Sequence, residues 1–171
     1  VYRMSKPIVT IKDRIIITDG VTLISGENGV GKTTLLNSLI GVCEDVEGKI
    51  YVGDINPSKI SNIEFPRKIS YIMQNEFSIS MTPYEFLEGC INVEVDKALN
   101  IASEFGVEEE CIRTCMWTEL SGGEKKKILL SAAFAINPPV MLLDEPTNSL
   151  DEHGKNVLIN YIQKSDSTII I

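Results

Sequence analysis

An α/β fold with a mostly parallel central sheet and a small inserted helical subdomain is the class this sequence predicts. Three observations point there. Short apolar runs alternate with helical patterns along most of the chain, the rhythm of strand–helix–strand units. One run, 140–143 (VMLL), is apolar without interruption, as a strand buried on both faces should be. From 75 to 118 the chain turns helical and polar and loses its strand signals, which marks the insertion.

Taken in order, the short apolar runs at 15–17, 21–25, 50–52, 69–73, 140–143 and 168–171 are the expected strands. Expected helices cover 32–40, 83–88, 95–105, 123–136 and 152–163. Helix 32–40 opens where a glycine-rich run ends. Helix 83–88 has a full start signal, with Thr82 as cap, Pro83 at the first position and Glu85 closing the box. Helix 123–136 stands behind Ser121 and Glu124, again at capping-box spacing. Pro146 ends the strand at 140–143. No internal repeat or low-complexity linker interrupts the series.

Composition limits what such a fold can do. The chain has 171 residues, 43% hydrophobic and 23% charged, enough for one domain with a sizeable core. With 16 basic and 24 acidic residues its net charge is -8, which argues against a nucleic-acid partner. The four cysteines (Cys43, Cys90, Cys111, Cys115) show no Cys-x-x-Cys spacing and His153 is the lone histidine, so the reading is buried, reduced thiols in the cytosol rather than a zinc site. Cys111 and Cys115, four apart, would share one helical face, and Trp117 reads as packing. The apolar stretch 128–136, broken by Ser131, is too short to span a bilayer, so work at a membrane would need another chain.

The strongest chemical signal is "GENGVGKT", Gly26 to Thr33, with a strand before it and a helix beginning at Lys32. This makes the fold P-loop NTPase-like. Gly26, Glu27, Asn28, Gly29, Val30 and Gly31 form a loop whose N–H groups can turn inward on phosphate oxygens. Lys32 would reach the outer phosphates and the Thr33 hydroxyl would ligate Mg²⁺; Thr34 follows in the helix's first turn. The second signal is "PPVMLLDEP", which leaves Asp144 and Glu145 at the carboxyl end of a buried strand, where open α/β sheets bind ligands. Asp144 suits Mg²⁺, and Glu145 suits a general base that polarises water toward a γ-phosphate.

The third signal is "TELSGGEKKK". A helix start accounts for Ser121 and Glu124 but not for Gly122 and Gly123, each costing about 1 kcal/mol against alanine in a helix. Nor does it account for Lys125, Lys126 and Lys127 at the positive end of a helix dipole. Bare N–H groups, a serine hydroxyl and nearby cations would suit an anion.

In this order and at comparable separations, "GENGVGKT", "LSGGE", "VMLLDEP" and "SLD" resemble the nucleotide-binding domain of the ABC ATPases over nearly the whole chain. The first and third would be its Walker A and Walker B motifs. The resemblance implies ATP and Mg²⁺ as ligands and an ATPase that dimerises head to tail. Each signature helix (Ser121, Gly122, Gly123, Glu124) would cap the ATP held by a second such domain, and Asp151 of the D-loop would touch that partner. Gln74, ending "YIMQ", would be a Mg²⁺ and water ligand that senses the γ-phosphate, and Tyr2, 24 residues before Gly26, stands near the family's adenine-stacking aromatic. The helical subdomain would cover about 75–135. The stretch "MTPYEFL" resembles the region of transporter ATPases that receives a helix of the separate transmembrane subunits. The implied function is thus the ATP-hydrolysing subunit of an ABC transporter, cytoplasmic and peripheral on the membrane. The alternative is a soluble ABC ATPase of DNA repair, chromosome organisation or translation, but only 45 residues separate Gln74 from Leu120, too few for a coiled-coil arm. Substrate and direction of transport are not written in these motifs. The family's switch histidine would follow 168–171, where the chain stops, so a domain truncated at its C-terminus is expected; the start at Val1 rather than methionine separately reads as an incomplete natural product.

Overall fold

The computed structural model describes residues 9–11, 15–17, 20–27, 29–40, 50–52, 68–73 and 77–171. Within them, β1 (Val9–Ile11), β2 (Ile15–Ile17) and β4 (Ile50–Val52) form an antiparallel sheet in the order β2-β1-β4. The expected strands 15–17 and 50–52 thus pair antiparallel, apart from the parallel strands. Three residues separate β1 from β2, enough to close a hairpin, whereas a parallel crossover needs about a dozen or more. β1 itself was not among the expected strands.

The second sheet is wholly parallel, in the order β3-β7-β6-β5, from β3 (Val21–Thr22), β7 (Thr168–Ile170), β6 (Val140–Leu143) and β5 (Ile69–Ile72). Its strands stop together. Beyond their ends, Ile24 N donates to Ile171 O and Asp144 N to Ile72 O, so residues 24, 144 and 171 line one edge of the sheet. The residues expected to carry chemistry therefore leave the sheet at the same end, β3 and β6 flanking β7.

All four residues of β6 are buried, as its unbroken apolar run requires. Val140 and Leu142 pack with Leu36 and Leu39 of helix α1 (Lys32–Leu39), while Met141 and Leu143 join the cluster on the opposite face. That second face receives the helices α2 (Pro83–Gly89), α3 (Val95–Glu104), α4 (Glu109–Thr114), α5 (Gly122–Ile136) and α6 (Glu152–Lys164). The capping box predicted at Thr82 and Glu85 is present in full. α3 lies along α5, and Lys97 Nζ donates to Ala135 O at 3.2 Å. Trp117 is buried, stacks on Phe77 at 5.2 Å between centroids, and donates its indole N–H to Phe77 O at 3.0 Å. It is packing, as read.

One expectation needs correction. Cys90, Cys111 and Cys115 are free but only half-buried, Cys90 and Cys115 standing at the C-caps of α2 and α4. Cys43 lies outside the described residues. Among the described residues no helix is long and apolar enough to cross a membrane.

Candidate functional site

Past β3 the chain leaves the sheet through 23–27 and then curls. Gly29 and Gly31 have φ of 84° and 104°, a left-handed conformation that glycine adopts without penalty. Gly31 is the N-cap of α1 and offers no side chain, so the N–H groups of the first turn stay available to a ligand at the positive end of the helix. Lys32 folds back into the curl, its ammonium donating to Gly26 O at 2.7 Å and Glu27 O at 3.0 Å. Val30 projects outward, and the Thr33 and Thr34 side chains are exposed on the first turn. Ser38 Oγ donates to Thr34 O, which ties the second turn to the first.

Across the sheet edge, Asp144 is 4% exposed at the end of β6, beside Tyr71 of β5, whose hydroxyl donates to Asp144 Oδ2 at 3.5 Å. Burial, and then the Asp144 charge, push the Tyr71 phenol up to about 12. The next residue, Glu145, takes φ 48°, an uncommon left-handed conformation for a side chain of this size. Asn148 Nδ2 donates to Glu145 Oε2, and Asn148 N donates to Glu145 O at 3.1 Å. The turn therefore holds the carboxylate in one orientation. Backbone strain at a carboxylate of this kind is a mark of functional sites.

Lys32, Asp144, Glu145 and Asn148 line one pocket of about 390 Å³, closed on its other side by apolar residues such as Leu23 and Leu158. The structure thus gathers the two strongest sequence signals at one place. Ser121, Gly122, Gly123 and Glu124 do not line that pocket. Gln74, Tyr2 and Asn28 lie outside the described residues.

The start of α5 carries the expected capping box. Ser121 N and Oγ donate to Glu124 Oε2 at 2.8 and 2.6 Å, and Glu124 N donates to Ser121 Oγ at 3.3 Å. Those bonds from Ser121, first from its hydroxyl, hold the Glu124 carboxyl below the usual range. Two of the three lysines, however, are not arranged around the helix end. Lys126 is 7% exposed and its ammonium donates to Met73 O at 3.0 Å. Lys127 pairs with Asp151 Oδ2 at 3.2 Å. In a helix successive side chains point about 100° apart, so adjacent lysines reach inward and sideways rather than toward the tip. The reading of a cation cluster on the helix end is therefore corrected.

Gly123 also has a cause within the chain. A Cβ there would come 2.6 Å from the Ser149 carbonyl oxygen, a backbone atom. Ser149 sits at φ 65°, and the next turn is fixed by Asp151, which caps α6 by accepting from Gly154 N at 2.8 Å. The Gly154 N–H, and then Lys127, keep the Asp151 carboxyl below its ordinary range. The "SGG" and "SLD" motifs thus touch inside one molecule. Sequence reasoning missed Tyr71, Lys126, Asn148 and the Lys127–Asp151 pair. Asn148, three residues after Glu145, carried a local signal; the others depend on which strands and helices become neighbours.

Comparison with known proteins now bears on this geometry. A family profile described as "ABC transporter" matches residues 16–148. A protein of Pyrococcus horikoshii bearing the name of an ABC transporter ATP-binding protein is 33% identical over 165 residues, covering 90% of this chain and 63% of that protein. The tungstate uptake system ATP-binding protein TupC of Peptoclostridium acidaminophilum is 33% identical over 162 residues, covering 88% of this chain and 72% of TupC. Among solved structures, a dimeric post-hydrolysis state of the ATP-binding cassette MJ0796 with ADP and Pi superposes at TM-score 0.71 and 23% identity, over 96% of this chain and 85% of that one. That likeness carries the fold. The chain spans 58% to 65% of the length of the four first relatives.

Proposed function

This chain belongs to the ABC transporter family, and on that premise we propose that it is an ATP-binding and ATP-hydrolysing subunit that powers a membrane transporter. The observation that carries the reading is the convergence of Lys32 with Asp144 and Glu145 in one pocket at the carboxyl edge of a parallel sheet. The names of relatives such as TupC, an ATP-binding protein of an uptake system, favour transport over a soluble role.

ATP is the substrate, its phosphates on the loop 26–31 and the N-terminus of α1, and the Lys32 ammonium exchanges its carbonyl partners for the outer phosphates. The buried Asp144 carboxylate and the exposed Thr33 hydroxyl are hard oxygen donors that fit Mg²⁺, with Gln74 a further ligand. When bound, Mg²⁺ neutralises charge on the phosphates. Glu145 accepts a proton from the attacking water, and Asn148 keeps the carboxylate turned for that task. Tyr71 holds Asp144 at its oxygen Oδ2.

The partners are a second nucleotide-binding domain and separate transmembrane subunits, which would hold this subunit at the cytoplasmic face. In the pair, Ser121, Gly122 and Gly123 meet the other domain's γ-phosphate. The Ser121 hydroxyl then leaves the Glu124 carboxylate for the phosphate oxygen. The contact between Gly123 and the Ser149 carbonyl links that event to the D-loop. Residues 75–135 act as a helical subdomain, and 82–87 offer the capped α2 to a transmembrane subunit. Glu145→Gln tests the reading. With Mg-ATP it should trap a dimer by sedimentation while slowing phosphate release by about 10²-fold or more. Rapid release with monomer throughout would count against the proposal.

A further inference from the structure

Outside the nucleotide site, Cys111 and Cys115 bring two free sulfurs within 3.0 Å. Cys111 lies in α4 and Cys115 is its C-cap, whose N–H donates to Cys111 O at 3.0 Å, so the two side chains stand one turn apart on the same face before the chain turns away at ψ 144°. Both side chains are half-buried, so a small reagent can reach them. Closing the remaining gap to a bond of roughly 2.05 Å asks for a movement of only about 1 Å.

We propose that Cys111 and Cys115 form a modification site, a dithiol that a low-molecular-weight disulfide oxidises to an intramolecular disulfide. The Cys111 thiol donates to the Cys115 sulfur. That hydrogen bond, and then burial, push the Cys111 thiol up to about 11, so Cys111 keeps its proton. Cys115 therefore attacks first. Its thiolate forms a bond to one reagent sulfur, the reagent's S–S bond breaks, and one thiol departs with a proton. Cys111 then gives up its proton to solvent and attacks the Cys115 sulfur. The intramolecular bond forms as the second reagent thiolate leaves and is protonated. The protein loses two electrons and two protons; the reagent disulfide gains both and becomes two thiols. The pair lies just upstream of Ser121, and Cys111 feels the Glu124 carboxylate, so the modification falls beside the capped start of α5. This inference does not depend on the ATPase reading.

The test equilibrates the full chain with glutathione buffers of rising oxidised fraction, then blocks free thiols and digests with trypsin. Cleavage after Arg113, between the two cysteines, makes the disulfide visible as two peptides that remain joined until reduced. The expected result is joined peptides at an oxidised fraction lower than that needed in urea, and a glutathione adduct on Cys115 once Cys111→Ser removes the resolving thiol. Either of two results would overturn the proposal. One is separate adducts or free thiols at both positions while Cys90 reacts; the other is identical closure in the folded and urea-unfolded chain.

Discussion

Replacing Gly123 by alanine sets two effects of opposite sign against each other. A helix gains about 0.5–1 kcal/mol when glycine becomes alanine. Against that, the new Cβ would lie 2.6 Å from the Ser149 carbonyl oxygen, with the carbonyl carbon at 3.8 Å. A carbon–oxygen contact settles at about 3.3 Å or more, so a backbone must yield by about 0.7 Å. Ser149 is already in a left-handed conformation and is followed by the capped turn at Asp151, so little slack is available. Overpacking of this kind costs about 1–3 kcal/mol, and the clash wins. Gly89→Ala is the control, because that glycine also lies in a helix and a Cβ there meets nothing within 4 Å. Gly123→Ala should therefore unfold below Gly89→Ala by about 1–3 kcal/mol, or about 2–10 °C in midpoint for a chain of this size. Thermal unfolding of the two variants by circular dichroism measures it. A Gly123→Ala protein as stable as Gly89→Ala would refute the argument that this glycine is required by a contact inside the chain.

Lys126→Met keeps the buried alkyl stem but removes the ammonium that donates to Met73 O, and should cost about 2 kcal/mol, read as a lower urea midpoint. An unchanged midpoint would mean that the bond contributes nothing. Tyr71 has a folded-state value of about 12, above the ordinary phenol value of about 10, so the fold favours the neutral form. Its contribution is complete below pH about 10 and is lost as pH rises through about 12. Wild type should therefore lose stability over that window relative to Tyr71→Phe, and parallel alkaline unfolding curves would contradict the assignment. Asn148→Ala frees the orientation of Glu145 and should lower ATP turnover by about tenfold with little change in ATP affinity, a split visible in steady-state kinetics.

Much of the site could be read from short-range chemistry. Gly29, Gly31 and Lys32 lie within four residues of one another, and their conformations follow from glycine's freedom and a helix start. The capping boxes at Thr82 and Ser121 span three residues each and form as expected. The apolar run at β6 announced its double burial and placed Asp144 and Glu145 at the sheet edge. What escaped depends on tertiary neighbours. Lys126 was read as one of the cations near the start of its helix, yet Met73, 53 residues earlier, supplies a carbonyl that only the fold brings within reach. Gly123 was assigned to a partner's ligand, whereas Ser149 of the same chain already forbids a side chain there. The antiparallel sheet escaped because the partners that β2 and β4 take, both on β1, are set by the fold and not by their own apolar runs.

The central claim is that ATP is held at residues 26–33 and cleaved with the help of Glu145. Titration of ATP binding together with phosphate release, on wild type, Lys32→Ala and Glu145→Gln, tests it most directly. The account predicts that Lys32→Ala loses ATP affinity while retaining its fold by circular dichroism. It predicts that Glu145→Gln binds ATP as wild type does but releases phosphate about 10²-fold more slowly or worse. ATP affinity unchanged by Lys32→Ala, or turnover unchanged by Glu145→Gln, would contradict it.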